Sequence, residues 1–487
     1  MRYPSLAFAC RLCLVVLLAP AGWTMDLRPY AGKDAVLMRD DIARRQKLWQ
    51  SVSVDAYKAH GTKDPRFDAD MVRLLEATAA VTAGGPLLMP TSEAVALAKR
   101  LTGKDGSPDP LAKWALFTLL RGGDWKAVNK ACDQARNALS DDKPLADGNH
   151  RYSPLLLAYP HAHCLDSWGR PDKPEKMKTA VVIANELAAV LTEVIKSHVC
   201  DSAPSSLVRL ARNINLNHQD LGEPVVKAVD AALDAAHTDP WLANTVKAAI
   251  RIKNAWAWRG SGWADSVTED GWKGFSRNLK EADGFLGEAY RLNAREPLVG
   301  CLGITLANAG ESSAEPKEWF RRSIAACFDF TDSYQTARNF QLPRWGGSYF
   351  AILSLGCDGV DTGRFDTDVP ENLLDCITTV IGDAHQMNAL PDMKDALSTP
   401  RVATSCDALI AAMTTRAPGR ATEYAWTKIG YLWHAGRIDE AKTVASSLPE
   451  GSLSSDIAKL YHINAAMITG KQPAGSATKA APATENF

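Results

Sequence analysis

Apolar side chains recur along this chain at the spacing of α-helices and almost never alternate with polar ones over the length of a strand. The clearest stretch runs from about Thr268 to Tyr290. Five apolar residues there follow one another at steps of four, three, four and three: Phe275, Leu279, Ala282, Leu286 and Ala289. Such a stripe covers one face of a helix. The pattern predicts an all-α protein.

Helix boundaries are marked by an acid followed by proline at the start and by glycine at the end. Three pairs mark predicted starts: Asp239-Pro240, Glu296-Pro297 and Glu315-Pro316. Gly260 and Gly310 mark predicted ends. An acidic N-cap with proline in the first turn is typical of helix starts. We therefore expect paired helices of about 10 to 20 residues joined by short loops.

A weak repeat lies within these helices. Four positions correspond after a shift of 34 residues, the period of tetratricopeptide repeats: Ala282, Leu286, Ala289 and Tyr290 with Pro316, Phe320, Ser323 and Ile324. Residues 429–441 resemble the middle of such a repeat, with a glycine turn at Gly436 and a small residue at Ala441, and residues 119–127 are a weaker echo. The sequence predicts an α-solenoid of degenerate tetratricopeptide-like helix hairpins, with a globular helical bundle as the alternative.

Two short segments are more distinctive than the repeats. Residues 255–264 read Ala-Trp-Ala-Trp-Arg-Gly-Ser-Gly-Trp-Ala, and residues 343–349 read Pro-Arg-Trp-Gly-Gly-Ser-Tyr. Together they resemble an uncharacterised family of bacterial tetratricopeptide-like proteins with Arg-Gly-Ser-Gly and Pro-Arg-Trp-Gly-Gly-Ser elements, over about residues 240–350. The resemblance implies a helical-repeat fold and no catalytic residues.

The same segments supply the candidate binding residues. These are tryptophans and arginines: Trp256, Trp258, Arg259, Trp263, Arg344 and Trp345. Indoles offer stacking faces, and guanidinium groups bind carboxylates or lie over indoles. The functional interpretation is a concave Trp/Arg-rich face that binds a peptide or protein partner. The structural interpretation is that the indoles fill gaps between helices.

An enzyme is the alternative function. Exported, tryptophan-rich helical chains include toroidal glycosidases and polysaccharide lyases, and a glycosidase needs two carboxyl groups. Asp265, Glu269 and Asp270 lie near the tryptophans, but acids at the start of a helix also stabilise its dipole. We therefore expect a protein that is not an enzyme, with no catalytic residues assigned.

No motif indicates a metal or a cofactor. The run His161-Ala162-His163-Cys164 does not place its side chains on one helix face, and no second cluster with zinc-ligand spacing occurs. The Gly260-Ser261-Gly262 turn fits neither a phosphate loop nor a nucleophile elbow. We expect no metal and no cofactor.

Composition excludes a chain that is disordered over most of its length, and net charge excludes a nucleic-acid-binding protein. With 46% hydrophobic and 23% charged residues among 487, the chain is rich enough in apolar side chains to fold. Lys+Arg number 55 and Asp+Glu 56, so no basic field exists that would bind nucleic acid.

The first residues predict export. Arg2 and Arg11 precede the apolar run Leu12–Leu18, and this run is followed by Ala19-Pro20-Ala21. This is the layout of a signal peptide that is cleaved after Ala21. No later stretch is long enough and apolar enough for a membrane helix. We expect a periplasmic or secreted protein without an integral membrane segment after cleavage.

Cysteine content is consistent with an oxidising compartment. Eight cysteines follow the predicted signal peptide, and an even number there permits disulfides. Three pairs could lie level in antiparallel hairpins: Cys132 with Cys164, Cys301 with Cys327, and Cys357 with Cys376. The alternative is that several are buried thiols of the core.

The predicted organisation is one elongated helical body between a leader and a tail. It comprises a signal peptide (1–21), an N-terminal helical region (34–238), a family-like repeat core (239–350), C-terminal helical repeats (351–468) and a disordered tail (469–487). The predicted function is an exported scaffold that binds a protein or peptide partner, with a helical toroid carbohydrate-active enzyme as the alternative.

Overall fold

A computed structural model describes residues 25–142, 145, 150–167, 174–260, 262 and 264–469. Within these ranges the protein is all-α and contains no strand. The predicted signal peptide and almost all of the predicted tail lie outside the described residues. The helices divide into two compact units.

The larger unit is Val36–Ser333. Its helices are α1 Arg39–Trp49, α2 Ala56–His60, α3 Asp68–Ala83, α4 Thr91–Leu101, α5 Pro110–Leu120, α6 Trp125–Ser140, α7 Pro154–Ser167, α8 Pro174–Lys196, α9 Ser205–Asn213, α10 Gln219–Ala235, α11 Pro240–Arg259, α12 Glu269–Leu292, α13 Pro297–Asn308 and α14 Pro316–Ala326. A π-helical stretch, Gln50–Asp55, joins α1 to α2. Helix α15, Thr331–Phe340, crosses the limit between the units.

The smaller unit combines residues 25–35 with residues 334–469. Its helices are α16 Tyr349–Val360, α17 Asn372–Met387, α18 Leu390–Leu397, α19 Pro400–Arg416, α20 Ala421–His434, α21 Ile438–Ser446, α22 Ser455–Leu460 and α23 Ala465–Thr469. The N-terminal segment belongs here because Met25 and Leu27 are buried and the Met25 N–H donates to Asp358 at 3.0 Å.

Helices pack in consecutive pairs within each unit. The main pairs are α5 with α6, α7 with α8, α11 with α12, α13 with α14, α16 with α17, and α20 with α21. This arrangement of successive hairpins is that of an all-α solenoid and confirms the predicted fold class. The division between the units falls inside the predicted 239–350 core.

The predicted helix starts at Pro240, Pro297 and Pro316 are confirmed, although Glu315 forms no capping hydrogen bond. Asp239 and Glu296 cap α11 and α13 through their carboxyl groups, which accept hydrogen bonds from Trp241 and Leu298 N–H. The Thr268 hydroxyl oxygen caps α12 by accepting a hydrogen bond from Gly271 N–H at 3.0 Å. In the C-terminal repeat-like segment, Gly436 has a φ of 79° between α20 and α21, a left-handed conformation that glycine adopts without strain.

Candidate functional site

Trp256 and Arg259 lie in a packed aromatic layer at the end of α11. The Trp256 ring meets Phe275 edge-on, with centroids 5.2 Å apart. The Arg259 guanidinium carbon lies 5.4 Å from the Trp256 ring and 5.6 Å from the Trp272 ring. Its Nη1 also donates to the carbonyls of Gly260 and Gly262, each at 3.1 Å. These side chains therefore join α11 to α12 and hold the loop between them.

Trp258 lies one helical position away and borders an open cleft. The Glu223 carboxylate accepts hydrogen bonds from Trp258 Nε1 at 3.2 Å and from Arg277 Nη2 at 3.0 Å. The Arg277 guanidinium lies over the indole at 5.2 Å. Gly274 packs against the same ring, since a Cβ added there would lie 2.1 Å from Trp258 Cδ2. The indole forms a wall of the cleft that both neighbours hold in place.

The cleft, here called the α10–α12 cleft, has a volume of about 380 Å³. It is lined by residues of three helices: Glu223, Val226, Arg251, Trp258, Arg277, Asn278 and Glu281. The lining includes two ion pairs, Arg277 with Glu223 at 3.0 Å and Arg251 with Glu281 at 2.8 Å.

Arg251 is the most constrained of these charges, with 8% of its surface exposed. Its guanidinium donates to Asp230 Oδ1 at 2.9 Å through Nη1 and to Glu281 Oε2 at 2.8 Å through Nε. Phe285 lies 5.4 Å from the guanidinium carbon. An arginine paired on two sides is held rigidly, which suits recognition of a polar group in the cleft.

A buried amide lies beneath the cleft. Asn254 Nδ2 donates to Glu223 Oε1 at 3.2 Å and to Asn278 Oδ1 at 3.0 Å. A Cβ on Gly222 would lie 1.9 Å from Asn254 Oδ1, so only glycine allows α10 to approach this closely. Asn254 therefore connects α10, α11 and α12 at the base of the cleft.

Arg344 and Trp345 belong to the smaller unit, whereas residues 256–259 belong to the larger one. Arg344 forms an ion pair with Asp383, and Tyr349 Oη donates to the same carboxylate at 2.9 Å. Trp345 is 47% exposed and lies beside Phe340, with centroids 5.9 Å apart. Trp263 lies outside the described residues. Trp256, Trp258 and Arg259 therefore belong to one unit, and Arg344 and Trp345 belong to the other.

The acids considered for catalysis do not line the α10–α12 cleft. All three are exposed: Asp265 lies in a 3-10 turn before α12, and Glu269 and Asp270 lie in the first turn of α12. Lys273 Nζ lies 2.8 Å from Glu269 and 3.7 Å from Asp270. The histidines of the His161-Ala162-His163-Cys164 run are hydrogen bonded. His161 Nδ1 contacts the Leu157 carbonyl at 3.1 Å, and His163 Nε2 contacts Asn129 Oδ1 at 3.2 Å. In the described ranges, no group of three or more His, Cys, Asp or Glu could hold a metal ion.

All eight cysteines after residue 25 are buried and carry thiols. The three predicted disulfides, Cys132–Cys164, Cys301–Cys327 and Cys357–Cys376, are therefore not formed in the structure. The Cys132 and Cys164 sulfurs lie 2.7 Å apart, longer than the ~2.05 Å of a disulfide bond. Hydrogen bonding to Cys164 and burial raise the pKa of Cys132, so this thiol stays protonated.

Sequence reasoning missed most of the cleft. It found Trp258 but not Glu223, Arg277 or Glu281, which lie on other helices. One signal was available: Arg251 interrupts the apolar run Ala248–Ile252, and an arginine on a core-facing stretch must find partners. Its partners Asp230 and Glu281 lie 21 and 30 residues away and carry no local pattern.

The fold and the cleft define an all-α helical-hairpin protein with a charged cleft. No protein-family model and no curated protein matches the chain. A solved structure titled "Circular tandem repeat protein with novel repeat topology and enhanced subunit contact surfaces" matches at 12% identity and a TM-score of 0.24, covering 86% of this chain and 100% of that one. A TM-score of 0.24 is too low to support a shared fold or function with that protein. The resemblance to tetratricopeptide-like proteins stays a prediction. None of the described helices is both long and apolar enough to cross a membrane.

Proposed function

We propose that the protein is an exported interaction scaffold that binds a segment of a protein or peptide partner in the α10–α12 cleft. The observation that carries this proposal is the cleft itself, which is open, walled by Trp258 and lined by two arginines and two glutamates from successive hairpins. Helical hairpins suit such a role because side chains from several repeats converge on one surface.

The lining favours a partner segment with charged side chains of both signs. Arg277 and Glu223 are each about half exposed, so a partner's carboxylate or ammonium group can replace their mutual contact. Arg251 stays fixed by Asp230 and Glu281 and supplies a rigid edge. Exchange of one ion pair for another gives specificity more than affinity, so binding of moderate strength is expected.

Selection of short random peptides displayed on phage against the purified protein tests the proposal. We expect enriched peptides that carry charged residues and that lose binding to the Arg277→Ala and Trp258→Phe variants. Arg291→Ala is the matched control, because Arg291 lies on the same helix and pairs only locally with Glu288. Peptides that bind the Arg277→Ala variant as well as the wild type, or no enrichment at all, would reject the cleft as the binding site.

Export to the periplasm or exterior is part of the proposal and rests on the leader-like residues 1–21. Mass spectrometry of the protein produced in a bacterial host with its native N-terminus gives the direct test. A mature chain that begins at Gly22 is expected. Recovery of the uncleaved chain in the cytoplasm would contradict it.

In an oxidising compartment we propose that Cys132 and Cys164 join, because their sulfurs are already adjacent. The two thiols would lose two protons and two electrons to a disulfide of an oxidoreductase, which is reduced to a dithiol. Non-reducing peptide mapping of the exported protein should recover the Cys132–Cys164 cross-link. Finding both as thiols would refute it.

A further inference from the structure

A second polar cluster lies away from the cleft, where α1 meets α9. Ser205 Oγ donates to Asp41 Oδ1 at 2.8 Å and so joins the two helices. Four residues further along each helix stand Arg45 and Arg209. Arg45 Nε donates to Asp41 Oδ2 at 2.9 Å, and only 5% of the Arg45 side chain is exposed. We call these residues, with Ser206, the Arg45/Arg209 cluster.

Several donors of this cluster are buried without any acceptor. Arg45 Nη2, Arg209 Nε and Arg209 Nη2 make no hydrogen bond, and neither does Ser206 Oγ, whose residue is 1% exposed. A buried donor left without an acceptor costs about 1–3 kcal/mol, and such groups in native proteins commonly mark an unrecorded water or ion. One acceptor with several oxygens would satisfy four such atoms from three neighbouring residues.

The charges around the cluster also leave an excess of cations. Asp41 is shared by Arg44 and Arg45, at 3.4 and 2.9 Å. Asp332 is shared by Arg209 and Arg212, at 2.8 and 2.6 Å. Each carboxylate thus serves two guanidinium groups. Uncompensated buried charge is strongly unfavourable, so a further anion would stabilise this region.

None of the remaining titratable groups near the cluster accepts a hydrogen bond from its unpaired donor atoms. Burial raises the pKa of Glu296 to about 7, and its carboxyl caps α13 by accepting from Leu298 N–H at 3.2 Å. Burial likewise raises the pKa of Tyr159 to about 12, so its hydroxyl is neutral at physiological pH. Arg121 adds another cation, 5.7 Å from the Tyr159 ring. Burial, and then the charge of Arg209, lower the pKa of Arg45.

We propose that the Arg45/Arg209 cluster binds a small oxyanion of the phosphate or sulfate type. Two guanidinium groups and a hydroxyl together leave four polar atoms without a partner, which suits a tetrahedral group with several acceptor oxygens. The burial of Arg45 and Ser206 restricts the site to a small ion or to the end of a phosphorylated molecule. The site is independent of the α10–α12 cleft and would serve to fix α1 against α9.

Isothermal titration of the purified full chain with sodium phosphate, sodium sulfate and phosphoserine tests the proposal, with sodium chloride at matched ionic strength as the reference. We expect saturable binding of phosphate or sulfate and a higher Tm in their presence than in chloride. Binding of phosphoserine as tight as that of phosphate would identify the group on a larger molecule as the ligand, whereas its exclusion would identify the inorganic ion.

Variants assign the binding to these residues. Arg209→Lys keeps the charge but removes Nε and Nη2, and Ser206→Ala removes the hydroxyl; each should weaken binding by about tenfold. Arg45→Met should abolish it, and the two milder variants keep the test decisive if Arg45→Met does not fold. Arg291→Met is the control and should bind as the wild type does. Absence of saturable binding beyond the chloride reference, or unchanged affinity in Arg209→Lys and Ser206→Ala, would overturn the proposal.

Discussion

Arg259 was predicted to bind a partner, but its side chain contacts groups within the protein and stabilises the fold. Its guanidinium packs between Trp256 and Trp272 and donates to two carbonyls of the loop after α11. Charged donors to backbone carbonyls contribute about 1.5–3 kcal/mol each when they are shielded. The sequence therefore predicted correctly that this arginine and these tryptophans interact, but their described contacts lie within the protein.

Replacement of Arg259 measures this structural role. Arg259→Ala should lower the free energy of unfolding by about 1–3 kcal/mol, because it removes two hydrogen bonds and the packing between two indoles. Urea denaturation at neutral pH gives the value. Arg291→Ala, an exposed arginine with a local partner, should change stability by less than about 0.5 kcal/mol. Equal effects of the two substitutions would contradict the assignment.

Glu296 carries the clearest pH signature of a single residue. Burial raises its pKa from 4.5 to about 7, so the folded state holds a proton that the unfolded state has released. Its contribution to stability is therefore greatest below pH 4.5 and is lost as the pH rises to about 7. Glutamine does not ionise, so Glu296→Gln removes the loss of stability at higher pH. Its amide oxygen can still accept a hydrogen bond from Leu298 N–H.

We expect Glu296→Gln to be more stable than the wild type above pH 7, by on the order of 1–2 kcal/mol. The difference should vanish near pH 4. Glu315→Gln is the matched control, since Glu315 also precedes a proline at a helix start but is exposed and makes no capping bond. Chemical denaturation across this pH range measures both, and a pH-independent difference for Glu296→Gln would argue against the raised pKa.

At the scale of elements, glycines set how closely paired helices approach. Gly303 on α13 faces Trp319 on α14, and a Cβ there would lie 2.1 Å from Trp319 Cδ2. Gly284 on α12 is exposed, and nothing lies within 4 Å of a Cβ added to it. Two glycines in neighbouring helices therefore have opposite constraints.

The paired substitutions should act in opposite directions. Gly303→Ala should destabilise the protein by about 1–3 kcal/mol, because the methyl group overlaps the indole in a packed hairpin. Gly284→Ala should stabilise it by about 0.5–1 kcal/mol, because alanine loses less backbone entropy on folding. Thermal unfolding followed by circular dichroism compares them. A shift of Tm in the same direction for both would show that the α13–α14 contact is looser than described.

At the scale of the whole molecule, buried histidines in both units act against folding in acid, opposite in sign to Glu296. Burial lowers the pKa of His161, His163, His385 and His434 below the ordinary 6.5. In the smaller unit, the rings of His385 and His462 stack with centroids 4.2 Å apart, and His434 meets His385 edge-on at 5.5 Å. Protonation therefore introduces charges into packed surroundings.

Stability should consequently fall as the pH drops below about 6.5 toward the lowered pKa values. A group with a depressed pKa binds its proton more readily in the unfolded state, so acid favours unfolding. Thermal unfolding of the Glu296→Gln variant between pH 7 and pH 5 checks the direction, because the opposite pH dependence of Glu296 is absent from that variant. His385→Gln should reduce the pH dependence because it removes one member of the stacked pair. A Tm that rises on acidification would contradict the prediction.

The sequence by itself determined the all-α class, the start of α11 at Pro240, the cap at Thr268 and the glycine turn at Gly436. These features depend on periodicity and on hydrogen bonds between residues a few positions apart, so local pattern is sufficient. It also drew attention to Trp258, because tryptophans so close together are conspicuous.

Only the tertiary structure decided the rest. It placed residues 25–35 with the C-terminal helices, divided the chain at Ser333, and surrounded Arg251 with Asp230 and Glu281. It likewise gathered Arg45, Ser206 and Arg209 where their donors lack acceptors. Such groupings join residues tens to hundreds of positions apart, and no local regularity encodes them, because they follow from how whole helices pack against one another.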